Sequence, residues 1–217
     1  MKPIRPDLTY KGVIILEDKS QLEKKIDILR RDRESWYSGD QVDSFADRYR
    51  YEAEKRKELY YQIMKNISCC NKKLLDVGCG DGFWINKLHK RFPDLKYHGI
   101  DYNITRLIRN KKRNPFTKLY LGDITRSDLF GKESFDIIFS SHCLEHVKDD
   151  QKVLDNIYFW LKPDGVFVLQ VPQEGVTLFK IRDRILQRNI LKTTDHVHFY
   201  TCMELKKKIL GAGFRIT

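Results

Sequence analysis

Leu74-Leu75-Asp76-Val77-Gly78-Cys79-Gly80-Asp81-Gly82-Phe83-Trp84 is the stretch that decides the fold. A short apolar strand ends beside Asp76, and three glycines follow at two-residue spacing before a new apolar run begins. Without a Cβ, glycine turns sharply and lets a ligand lie against the backbone. Strand, glycine turn and helix together make a nucleotide-type cradle. No Gly-Lys-Ser/Thr follows, and Asp76 and Asp81 would meet a pyrophosphate with like charge. A nucleoside that carries an amine or a sulfonium suits the cradle better.

Working outward, 217 residues suffice for one α/β domain with an N-terminal extension. No uninterrupted apolar run approaches the ~20 residues of a membrane span. The opening Met1-Lys2-Pro3-Ile4-Arg5-Pro6-Asp7 lacks the apolar stretch of a secretory signal. Cys69, Cys70, Cys79, Cys143 and Cys202 form no CxxC pair, so reduced thiols and a cytoplasmic location are expected. The net charge of +11 is uneven: residues 1–70 carry 15 Lys/Arg against 13 Asp/Glu, residues 71–217 carry 26 against 17. Such a field attracts nucleic acid, anionic small molecules or a membrane surface, or simply keeps the chain soluble.

Residues 1–70 read as a helical extension or lid. Val13-Ile14-Ile15-Leu16 is a short strand or docking segment, Leu22, Ile26 and Leu29 recur at helical spacing, and a second helix runs from about Ser44 to Ser68. From residue 71 strands and helices alternate as in a parallel-sheet domain. The expected strands are Lys73–Val77, Lys96–Asp101, Lys118–Leu121, Phe135–Ser140 and Val166–Val171, with a turn at Lys162-Pro163-Asp164-Gly165. Helices are expected at about 83–91, 104–112, 149–161 and 202–210, and Phe214–Thr217 begins another strand. Residues 173–200 form a long insertion with a short basic helix at 178–191.

Five of these segments, taken in order, carry a family resemblance. The chain is similar over roughly residues 45–217 to the class I S-adenosylmethionine-dependent methyltransferases. Asp76, Gly78, Cys79, Gly80 and Gly82 look like the cofactor loop. Asp101, 21 residues after Gly80, matches the carboxylate that grips the ribose, with Tyr102 beside it. Gly122-Asp123-Ile124 looks like the segment that reads the adenine amine. Phe135-Asp136-Ile137-Ile138-Phe139-Ser140 resembles the fourth-strand motif, whose Ser140 joins the cofactor contacts. Leu161-Lys162-Pro163-Asp164-Gly165 resembles the turn before the fifth strand. The resemblance implies a Rossmann-like, mostly parallel sheet flanked by helices, and S-adenosylmethionine as methyl donor.

After the fourth strand, Ser140-Ser141-His142-Cys143-Leu144-Glu145-His146 looks like the Glu-His pair of quinol-type small-molecule methyltransferases. His146, Glu145 and His142 are the candidate catalytic residues, with His146 as general base. Bracing of the following helix is the alternative role for Glu145 and His146. Asp195-His196-Val197-His198 lies where the family builds its acceptor pocket, so His196 and His198 join the substrate-side candidates, as do Phe45 and Tyr49 on the lid helix. Metal-dependent methyltransferases of small-RNA 3′ ends are similar in this region, but His142 stands where they have a glutamate. The site is therefore read without a metal.

The implied reaction is methyl transfer to an oxygen or nitrogen of a small-molecule acceptor. RNA or tRNA methylation is the alternative, served by basic runs at Arg106–Arg113 and Lys180–Lys192. A non-catalytic adenosylmethionine-binding partner protein is the third. No Asn/Asp-Pro-Pro-Tyr/Phe follows the fourth strand, which disfavours that route to base amino methylation. The family sheet closes with a sixth strand and an antiparallel seventh, whereas this sequence stops at Thr217. A sheet lacking its seventh strand is expected, its open edge covered by the N-terminal segment or by a homodimer partner.

Overall fold

The computed structural model describes residues 9–17, 23, 42–67, 71–172 and 196–217, with residues 42–53 as helix backbone. The expected helix over residues 20–33, the basic helix at 178–191 and Asp195 lie outside the described residues. Two compact units divide the chain between Asp123 and Ile124.

The first unit contains β1 (Thr9–Tyr10), β2 (Val13–Ile15), α1 (Val42–Lys65), β3 (Lys73–Val77), α2 (Phe83–Arg91), β4 (Lys96–Asp101), α3 (Ile104–Arg113) and β5 (Lys118–Leu121). Its strands lie in the order β1-β2-β5-β4-β3. All neighbours run parallel except β1, which pairs antiparallel with β2. Burial explains the central strands: Leu74, Leu75, Val77, Ile100, Leu119 and Leu121 are all fully enclosed, as residues covered on both faces must be. On α1, Tyr60 meets Trp84 of α2 edge-to-face at 4.7 Å, beside the buried Met64.

The second unit contains β6 (Phe135–Ser141), a 3₁₀ turn (Leu144–His146), α4 (Asp150–Trp160), β7 (Leu161–Gln170) and α5 (Cys202–Gly211). β6 and β7 are parallel, with Phe135 opposite Leu161 and Ile137 already opposite Val166. One residue of β6, Asp136, thus faces the whole Lys162-Pro163-Asp164-Gly165 excursion. The expected turn is a bulge inside a longer strand, tied down by Lys162 Nζ donating to Asp136 Oδ1 at 2.7 Å. Thr201 and Glu204 form a reciprocal capping box at the start of α5.

The expectation of a sheet one strand short is corrected, because seven strands are present among the described residues. Two of them come from the N-terminal hairpin. Val13 and Ile15 bury completely and pair in register with Leu119 and Leu121, and Leu16 N continues the ladder to Leu121 O at 2.9 Å. The strand expected at Phe214–Thr217 does not form. Phe214 instead sets its ring against Tyr158 and Phe167, at 5.1 and 5.2 Å.

His98 on β4 sits parallel to the Tyr120 ring, its Nδ1 3.0 Å from the Tyr120 hydroxyl. Burial, reinforced by the charges of Lys118 and Lys73, pushes its pKa down to about 4. The unfolded chain therefore takes up this proton first, and folding stability falls as pH drops from the ordinary histidine range through 4. In chemical denaturation, His98→Gln should flatten that acid loss by about 3 kcal/mol; parallel curves for the two proteins would remove His98 as the cause.

Candidate active site

In the first unit, β3 ends in a loop held by backbone hydrogen bonds. Gly78 N and Cys79 N both donate to Ile100 O, at 2.9 and 3.1 Å. Gly80 N donates to Asp101 Oδ2 at 2.9 Å, and Asn103 N donates to Asp101 Oδ1 at 2.8 Å. Asp101 is only 4% exposed. An ionised carboxylate has about four acceptor sites, so two amides fix its plane and leave capacity for a pair of hydroxyls.

One polar stripe on α3 closes the loop from behind. Asn103 caps the helix, its Oδ1 accepting from Thr105 N and Arg106 N. Asn110 Nδ2 donates to Gly80 O at 3.2 Å, and Asn114 Nδ2 donates to Gly82 O at 3.0 Å. Gly80 and Gly82 have φ of 46° and 75°. A Cβ on Gly80 would overlap the Arg106 guanidinium, and one on Gly82 would overlap the Asn110 amide. The backbone angle calls for glycine at both positions; at Gly82 the hydrogen-bonded Asn110 and Asn114 amides add a second reason, whereas at Gly80 the neighbour is the end of the long Arg106 side chain.

Asp81 anchors the charges of that stripe. Arg106 Nε and Arg109 Nε donate to its two carboxylate oxygens at 3.0 and 2.6 Å, and Arg113 Nη1 reaches its carbonyl at 3.2 Å. Lys111 donates to Pro115 O and Thr117 O, at 2.9 and 2.7 Å. The basic run read as a phosphate-contacting or solvated face is therefore largely committed to holding the loop.

Asp76 lies buried in β3, and burial, aided by the charge of Asp101 and opposed by Arg106, pushes its carboxyl up to about 8. Such a group ionises readily only when a cation arrives beside it. The Cys79 thiol points at Gly99 and Asn110, so what Cys79 offers the loop is its backbone. Tyr102 stands 57% exposed just past the strand tip, Asp123 is exposed, and Ile124 and Ser140 are buried. A buried carboxylate with acceptor capacity to spare, a cation-seeking second carboxylate and a loop with glycine at three of five positions fit a cationic nucleoside.

In the second unit, β6 gives way at its C-terminal end to His142, held in the left-handed region at φ 52° with its N–H on Gln170 O at 3.0 Å. Ser141 Oγ donates to Gln170 Oε1, which turns Gln170 Nε2 towards His142 Nε2 at 3.0 Å. That ring nitrogen is then the acceptor, and the proton sits on Nδ1, 3.3 Å from Glu145 Oε1. Glu145 is fully buried, and neither of its carboxylate oxygens has a hydrogen bond among the described residues. His146 Nε2 lies 4.0 Å from the same oxygen, and the His146 and His196 rings meet at 4.7 Å.

The backbone of the late segment is fastened here as well: Val197 N and His198 N donate to Glu145 O at 2.9 and 3.1 Å. The structure thus gathers His142, Glu145, His146 and His196. His198 faces away, with Nε2 at 3.1 Å from Lys148 O and 3.8 Å from Asp150 Oδ2. Asp150 also accepts from Tyr200 and Lys208, both at 2.8 Å. The Phe45 and Tyr49 side chains lie outside the described residues; α1 includes both positions. Asn103, Asn110, Asn114 and Gln170 went unnoticed in the sequence. Only Asn103 carried a signal, as a cap immediately before a helix.

The family described as a methyltransferase domain matches residues 44–217. The chain belongs to that family. Among curated relatives, the secondary metabolism regulator laeA of Coprinopsis cinerea is 27% identical over 152 residues, covering 70% of this chain and 37% of that protein. The ubiquinone biosynthesis O-methyltransferase of Psychrobacter arcticus is 28% identical over 164 residues, covering 71% and 63%. The chain thus spans less than two thirds of the length of either. Haemonchus contortus phosphoethanolamine N-methyltransferase 2, solved with S-adenosyl-L-methionine, superposes with a TM-score of 0.57 at 20% identity, covering 88% of this chain and 44% of that one. That likeness establishes the Rossmann-like fold.

Because Asp76 holds its proton more tightly folded than unfolded, the ligand-free protein loses stability as pH rises from the ordinary Asp range towards 8. Asp76→Asn should match wild type near pH 4 and exceed it by a few kcal/mol, on the order of several degrees in melting temperature, at pH 8. A difference that does not grow with pH would show that Asp76 ionises freely.

Proposed function

We propose that this chain transfers a methyl group from S-adenosylmethionine to an oxygen or nitrogen of a small-molecule acceptor. The observation that carries the reading is the Asp101 carboxylate, buried and pinned by Gly80 N and Asn103 N with acceptor capacity left over. Asp101 would hold the ribose hydroxyls, Asp76 would face the cationic end of the donor, and Asp123 with the Ile124 backbone would read the adenine edge. Tyr102 offers an exposed ring for the nucleoside, Ser140 lines the fourth-strand end, and Gly78, Cys79, Gly80 and Gly82 supply backbone. When bound, S-adenosylmethionine supplies an electrophilic methyl on sulfur, whose in-line displacement needs positioning rather than covalent help.

Within the second unit, His146 is the proposed proton acceptor for the nucleophile, being 24% exposed while Glu145 is enclosed. Glu145 acts through the imidazoles, with His142 Nδ1 at 3.3 Å from its Oε1. The lid role of Phe45 and Tyr49, the acceptor-side role of His196 and the quinol-like choice of acceptor belong to the same proposal. The small-molecule reading draws on relatives named for small acceptors, including the trans-aconitate 2-methyltransferase of Deinococcus radiodurans. RNA methylation is less favoured, because Arg106, Arg109 and Arg113 are spent on Asp81 of the loop and Lys111 on Pro115 O and Thr117 O.

Asp101→Ala should weaken S-adenosylmethionine binding about 100-fold by calorimetry, the loss of two hydrogen bonds to a charged group, while near-ultraviolet dichroism stays native. Unchanged affinity would place the nucleoside elsewhere. Incubation with methyl-labelled cofactor should mark components of a metabolite extract and leave total RNA blank. Label confined to RNA would overturn the choice of acceptor.

A further inference from the structure

We infer that Glu145, His146 and His196 form a binding site for one divalent cation of the zinc class. The three side chains each bring one ligand atom, and these atoms lie within 4.8 Å of one another. A small contraction of this arrangement gives the two-imidazole, one-carboxylate set that binds zinc with a coordination position left open to an oxygen ligand. The sequence reading left a metal out because His142 stood in place of a carboxylate. In the fold His142 is not needed as a ligand.

The independent observation is the state of Glu145. It is wholly buried, yet both carboxylate oxygens lack a hydrogen bond among the described residues. A buried carboxylate is costly unless paired with positive charge and hydrogen-bonded. Among the described residues its facing groups are the imidazoles of His142, His146 and His196 and, more remotely, the Tyr200 hydroxyl, whose pKa is raised by burial and by Asp150 and Glu145. None carries a permanent positive charge, and the nearby Lys208 is bonded to Asp150. A divalent ion supplies the missing charge and satisfies an oxygen in one step.

The surroundings are built as supports for such a set. The His142 ring, fixed by Gln170 and Ser141, stands with Nδ1 3.3 Å from Glu145 Oε1 without a hydrogen bond to it, and so walls the carboxylate on that side. The segment that carries His196 is stapled to the ligand turn itself by Val197 N and His198 N on Glu145 O. His196 meets His146 at 4.7 Å, whereas His198 turns to Lys148 O and Asp150, so only one of the two reaches the cluster. The site's existence stands apart from the proposed methyl transfer; its use there, binding and acidifying an acceptor hydroxyl in place of direct proton uptake by His146, rests on that reading.

The test titrates chelator-treated protein with Zn(II) against a chromophoric competitor, and with Co(II) by visible absorption. Wild type should take up one equivalent and show the d–d bands of a low-coordinate nitrogen and oxygen site. His196→Ala, a change at a partly exposed position, should weaken binding at least about 10-fold, and His198→Ala should leave it unchanged. Glu145→Gln should do the same as His196→Ala wherever its dichroism stays native. No stoichiometric Zn(II) in wild type, or wild-type affinity in His196→Ala, overturns the site, as does equal loss in His198→Ala. S-Adenosylmethionine titrated into the same samples separates the two proposals. Cofactor binding without metal binding sinks only the cation site, and metal binding without cofactor binding sinks only the methyl-transfer reading.

Discussion

Asp101 joins three elements through one carboxylate. Its oxygens accept from Gly80 on the glycine loop and from Asn103 at the start of α3, and its own backbone ends β4. Loop, strand and helix are thereby fixed to one another before any ligand arrives. A binding surface prepared in this way loses little conformational entropy when it is filled.

The second half of that preparation comes from α3. Arg106, Asn110 and Asn114 follow at four-residue intervals and lie on one helix face, and this face turns towards the glycine loop. Polar groups meet backbone carbonyls there, and Asp81 gathers the arginines. The pKa of Arg106 is raised despite its burial, because Asp101 and Asp81 outweigh the loss of solvent. The excess positive charge of residues 71–217 is thus partly structural, which tempers any reading of it as a nucleic-acid surface.

Much of the fold was legible because its strands are buried on both faces and so stand out as apolar runs between glycines. β3, β4 and β5 begin and end where composition says they should. The N-terminal hairpin was harder: strands of two and three residues carry no measurable period, and their partner, β5, lies about a hundred residues away. The α3 stripe was misread because a polar helix face normally meets water, and nothing local announces that the glycine loop packs against it. Lys162–Gly165 has the composition of a turn, and only the register of β6 and β7 reveals it as a bulge. In the histidine segment the sequence offered His196 and His198 equally. Residues two apart in an extended chain share a face, so pattern alone could not choose between them; the consecutive amides Val197 N and His198 N both donate to Glu145 O, and His196, not His198, meets His146.

Cys79 occupies the middle of the glycine loop, with its thiol walled in by Gly99, Leu119 and Asn110. Burial, with Asp76 and Asp101 close by, pushes its pKa well above the ordinary thiol value. Alkylating and oxidising agents attack the thiolate, so this sulfur is chemically mute while the fold is intact. Among the described cysteines, Cys202 is exposed and Cys143 partly so. Electrophile reactivity at Cys79 would accordingly report local opening of the loop rather than ordinary surface chemistry.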